Sequence, residues 1–60
     1  MFYIELVWNR EFKWVQYGEP HKTKEEAIEY GKVLLDMGDG TRVKQVRISD
    51  VDGNIVVQRV

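Results

Sequence analysis

Apolar and polar positions alternate in four short stretches of this chain, and in one longer stretch the apolar positions recur at helical spacing instead. Phe2, Ile4, Leu6 and Trp8 share one side of the first stretch, with Tyr3, Glu5 and Val7 on the other, which is the period of a strand. Asn9-Arg10-Glu11 breaks the run as a short hairpin loop would. A second strand is expected over 12–17, with Phe12, Trp14 and Gln16 inward and Lys13, Val15 and Tyr17 on the opposite face. Gly18-Glu19-Pro20 should end it, because proline cannot donate to a ladder.

The period then changes. Thr23 followed by Glu26 has the spacing of a capping box, and Glu25 and Glu26 suit the positive end of a helix dipole. Ala27, Ile28, Gly31, Leu34 and Leu35 form one apolar stripe, with Tyr30 beside it, which predicts a helix over 24–37. A glycine inside that stripe costs about 1 kcal/mol in helix propensity. Gly31 is therefore read as a point of close approach to a large side chain, with Trp8 and Trp14 as the expected neighbours. Gly38 and Gly40, flanking Asp39, match a C-terminal glycine stop.

A third strand is expected over 42–48 and a fourth over 55–60. Val43 is out of phase with Val46 and Ile48, so a β-bulge or a register change is expected near Lys44-Gln45. Asp50-Val51-Asp52-Gly53-Asn54 between them carries turn chemistry. The pattern predicts an α+β fold: one ββαββ domain over residues 1–60, a largely antiparallel four-stranded sheet with the helix on one face. A crossover helix leaves the third strand antiparallel to the first. Spatial order 2-1-3-4 is therefore preferred to 1-2-3-4.

Composition narrows the function more than the fold. Sixty residues lie near the small end of what folds without staples, and with no cysteine neither a disulfide nor a thiolate metal site can help. A second copy of the chain could, so a homodimer is expected. Nine basic and ten acidic residues give a net charge of −1, which provides no global attraction to nucleic acid or anionic membranes. The opening residues lack a basic region followed by an apolar run, and no stretch approaches ~20 apolar residues. The expected location is the cytoplasm, with no membrane association.

Nothing in the sequence resembles catalytic machinery. His21 is the one histidine and has no cysteine or paired carboxylate near it in sequence. The Asp50–Asn54 cluster places its glycine too early for a calcium loop and is flanked by strands, which favours a hairpin turn. No glycine-rich phosphate loop occurs. The expectation is no enzyme, no cofactor and no metal.

What remains is surface. With one face of the sheet covered by the helix, the other is expected to carry Tyr3, Val7, Val15 and Tyr17, while Tyr30, Val33 and Met37 edge the helix stripe. Left-over apolar area on so small a domain points to a partner or dimer interface through these seven residues. Tyr3, Tyr17, Arg47 and Arg59 are the candidate anchors. The alternative is a small nucleic-acid-binding regulator using Lys13, Arg42, Lys44, Arg47 and Arg59, since basic strands can follow a phosphate backbone.

Taken together, Trp8, Phe12-x-Trp14 and Tyr17-Gly18, then Thr23-x-Glu25-Glu26-Ala27, then Val43, Val46-x-Ile48 and Asp52-Gly53-Asn54-Ile55-Val56 resemble very small ββαββ accessory proteins of phages and mobile elements. The resemblance spans most of the chain through hairpin and capping signals. It implies a compact non-enzymatic inhibitor that occludes a host protein, such as a component of an antiviral defence complex. It assigns no functional residue.

Overall fold

The computed structural model describes residues 1–36 and 42–60. Four strands and one helix follow the expected order: β1 (Phe2–Trp8), β2 (Val15–His21), α1 (Lys24–Asp36), β3 (Val43–Asp50) and β4 (Ile55–Val57). The sheet is antiparallel throughout, in the order β2-β1-β3-β4. The glycine stop expected at Gly38 and Gly40, and Met37 among the interface candidates, lie outside the described residues.

The two central strands carry the core. Ile4, Leu6, Val46 and Ile48 are buried almost completely beneath α1, which contributes Ala27 and Leu34. Ile4 faces Ile48 and Leu6 faces Val46 across the β1–β3 ladder, so the four side chains form one apolar block. Phe2, Trp8, Val15, Tyr17, Ile28, Leu35, Val57 and Val60 pack around it. The helix begins at the expected cap: Thr23 Oγ1 accepts from the Glu26 N–H at 3.1 Å. Thr23→Ala should cost about 1 kcal/mol, read as a lower urea midpoint at unchanged slope.

The out-of-phase valine of the third strand has the expected consequence. Val7 pairs with Gln45 but Trp8 pairs with Val43, leaving Lys44 as an extra residue in the ladder. That bulge lets Val43, at 5% exposure, join the core alongside Val46 and Ile48. A second irregularity sets Ile48 against Val57 but Ser49 against Ile55, and turns Val56 outward. The ladder of β4 therefore stops at Val57 rather than running to 60. The chain returns to the sheet through a bond from the Val60 N–H to the Val46 carbonyl at 3.0 Å.

The second strand corrects three expectations. It starts at Val15, because residues 9–14 form the connection, and it runs through Gly18-Glu19-Pro20 to His21 instead of ending there. Ile4 pairs with Tyr17 and Phe2 with His21, so two extra residues of β2 are accommodated between those pairs, with Gly18 at φ 75°. A proline is tolerated there because β2 is an edge strand and the ladder is already interrupted. The phase is also reversed. Val15 faces Leu6 and Tyr17 faces Ile4, so both belong to the helix side, while Gln16 lies opposite Glu5 on the open side. The expected phase would have put the Gln16 amide into an apolar core, at the cost of an unpaired polar group.

Candidate interaction surfaces

Alternation along β1 and β3 puts Tyr3, Glu5, Val7, Gln45, Arg47 and Ser49 on the face away from the helix. Glu5 and Arg47 are direct cross-strand partners, and Arg47 Nε donates to Glu5 Oε1 at 2.7 Å. The same guanidinium lies 4.0 Å from the centroid of the Trp14 ring. Arg47 is thus held between a carboxylate and an indole, an arrangement suited to its planar group. Trp14, Gln45, Arg47, Ile55 and Gln58 line a concavity of about 280 Å³ on this face.

The face is less bare than the sequence suggests. Val7 is 3% exposed and Ser49 is also 3% exposed, although neither lies under the helix. Of the four residues expected to form an open apolar patch, Val15 and Tyr17 lie on the core side and Val7 is already covered. Tyr3 alone remains there, half-buried and opposite Ser49. The ring of Tyr17 meets Trp8 edge-on at 5.8 Å as part of the core periphery. Trp14, assigned to the core from its spacing, is instead the aromatic centre of the open face.

The helix side keeps its exposed apolar residues. Tyr30 is 46% and Val33 53% exposed, and His21 lies 5.3 Å from the Tyr30 ring in a tilted arrangement. The acidic residues Glu25, Glu26 and Glu29 are exposed on the same helix.

The basic residues named for nucleic acid do not form one stripe. Arg47 is engaged on the open face, and Arg59 is exposed beyond β4. Lys13, Arg42 and Lys44 instead share the end of the sheet at which β1 finishes. Lys44 Nζ lies 4.6 Å from the centroid of Phe12, a ring 91% exposed rather than buried as its spacing suggested. Arg10 joins them, a residue that the charge pattern of the third strand could not have indicated. Its connection closes through the Glu11 N–H to the Trp8 carbonyl at 3.0 Å.

Asp50 accounts for its own cluster. Asp50 Oδ1 accepts from the N–H groups of Asp52 and Asn54, each at 2.9 Å, and Gly53 takes φ 87° to close the hairpin. Among the described residues no group of three or more His, Asp or Glu side chains is placed to hold a metal, and no helix is long and apolar enough to cross a membrane. No family model, no curated protein and no solved structure matches this chain.

Proposed function

We propose that this chain is a non-enzymatic protein-binding module that acts by covering a working surface of its partner with the open face of the sheet. The observation carrying this reading is the Glu5–Arg47–Trp14 assembly, with Arg47 fixed at 2.7 Å from one carboxylate and 4.0 Å from one indole ring. Tryptophan, tyrosine and arginine are the residues on which binding energy concentrates at protein interfaces. Here Arg47 and Tyr3 are mounted on the central strands, which hold them more rigidly than loops do, and Trp14 immediately precedes β2. Because the pair is organised before contact, binding should lose little side-chain entropy at its anchors. Tyr3 and Ile55 flank the assembly and supply apolar contact; Gln16, Gln45 and Gln58 supply a polar rim.

A stoichiometric inhibitor needs no more than this: a small rigid body whose footprint excludes the partner's natural ligand. Val7, Val15 and Tyr17, three of the residues expected at a homodimer interface, are engaged within the protomer. The partner expected on the open face is a different protein.

The test is recovery of a partner by the tagged chain from lysate treated with nuclease, followed by titration of the purified partner with Arg47→Ala and Trp14→Ala. Each substitution should weaken binding by about 30-fold or more, the scale of an interface hot spot. An apolar anchor implies little loss between ~0.1 and ~0.5 M salt, where screening removes contributions from exposed charges. Folded variants that bind as tightly as the parent would overturn the reading.

A further inference from the structure

The end of the sheet at which β1 passes into its connection with β2 has a chemistry that the open-face reading leaves unused. Phe12 is 91% exposed, so its ring contributes almost nothing to the core. A single exposed apolar side chain is ordinary on a protein surface, so it is the setting of this ring that singles it out. One side of the ring is attended by Lys44 Nζ at 4.6 Å, and Lys44 is the extra residue of the β3 bulge. Bulges commonly re-aim a side chain toward a functional site.

Further cations lie in the same connection and at the start of β3. Arg10, Lys13, Arg42 and Lys44 are all exposed, and Glu11 is the one carboxylate in the connecting segment. Within residues 9–14 and 42–44, four positive charges stand against one negative, in a chain whose net charge is −1. The Asn9 N–H binds the Arg42 carbonyl at 2.7 Å and ties the connection to the start of β3. Arg10 and Arg42, with Trp8, Asn9 and Glu11, line a concave surface there. Arg10 holds φ 72°, a turn conformation in which glycine or asparagine would be relaxed. A cation is kept there at a cost to the backbone.

We propose that this tip binds single-stranded nucleic acid, with a base stacked on Phe12 and the backbone phosphates held by Arg10, Lys13, Arg42 and Lys44. A stacking ring set among phosphate-binding cations is how sequence-tolerant single-strand binders work. Double-stranded nucleic acid keeps its base faces inside the helix and could use only the charges. An acidic protein surface would likewise need the charges and leave the ring without a role. With one ring and about four phosphate contacts, the affinity should fall in the range of non-specific binders, on the order of 1–100 µM.

Fluorescence anisotropy with a labelled oligothymidylate of about 12 nucleotides tests this, since one small domain covers about 4–16 nucleotides. The parent chain should bind at ~50 mM salt and weaken roughly 20- to 50-fold by ~200 mM, as three to four phosphate contacts on a single strand, each releasing about 0.7 counterion, require. Phe12→Ala should weaken binding by about 10-fold or more with an unchanged melting temperature. Arg10→Asn should weaken it and flatten the salt dependence while the melting temperature holds or rises. Arg47→Ala should leave it unchanged, which separates this site from the open face. Absence of binding by the parent at ~50 mM salt would overturn the proposal, as would full affinity in Phe12→Ala. Equal competition by duplex DNA or polyglutamate would show a surface that reads charge alone, and would overturn it too.

Discussion

Ile48→Ala is expected to bring the chain close to global unfolding at 25 °C. Ile48 is fully buried at the centre of the sheet, where its strand neighbours are Ile4 on one side and Val57 on the other. Truncating a buried isoleucine removes favourable transfer energy and leaves a cavity, together about 2–5 kcal/mol. A chain of 60 residues at roughly 0.05–0.15 kcal/mol per residue has only about 3–9 kcal/mol in total. No disulfide holds the remainder together. The urea midpoint should therefore fall by about a fifth or more of its value at constant slope, followed by circular dichroism. A loss below about 1 kcal/mol would mean that the cavity collapses freely, which is incompatible with a core centred on β1 and β3. Phe12→Ala is the natural control, since it removes a larger side chain from a position that packs against little.

The contrast between those two residues shows what the sequence made legible. Where apolar positions alternate without interruption, as in Phe2-x-Ile4-x-Leu6-x-Trp8, the strand and its buried face both follow directly. Val43 against Val46 and Ile48 carried enough information for the bulge at Lys44, because a phase break in a buried strand has few other solutions. Strand order followed from chain direction. The second strand offered two apolar phases, Phe12-x-Trp14 and Val15-x-Tyr17, and the larger aromatics favoured the wrong one. The decision rests on the length of the connection after Trp8, which takes six residues and so moves Phe12 and Trp14 out of the core. Connection length is weakly encoded by Asn9-Arg10-Glu11, since the turn places Arg10 in a conformation that glycine usually marks. The candidate sites inherited that phase error. Val15 and Tyr17 exchanged surfaces with Trp14, and the nucleic-acid residues separated into Arg47 on the open face and Lys13, Arg42 and Lys44 at the tip.

Replacing Gly31 tests the one packing relation in which the sequence indicated the need but not the neighbour. A Cβ built at Gly31 would lie 2.9 Å from Val46 Cγ1 and 3.3 Å from Val60 Cγ1, so the helix rests on two valines rather than on Trp8 or Trp14. Val46 is 2% exposed and β-branched, so it has almost no freedom to withdraw. Gly31→Ala would gain about 1 kcal/mol of helix propensity, but overpacking costs about 1–3 kcal/mol. The net change should be destabilising, by about 1 kcal/mol. Gly31→Leu adds volume that the interface cannot take, and should cost about 3 kcal/mol by displacing α1 from β3. The decisive arrangement is a double-mutant cycle with Val46→Ala, which removes the obstructing methyl. In that background Gly31→Ala should become stabilising, giving a coupling of about 1–2 kcal/mol, well outside the error expected for independent sites. Additive effects would mean that the helix already stands clear of Val46. The apolar layer between α1 and β3, and with it the rigid sheet on which both proposed surfaces depend, would then need a different packing.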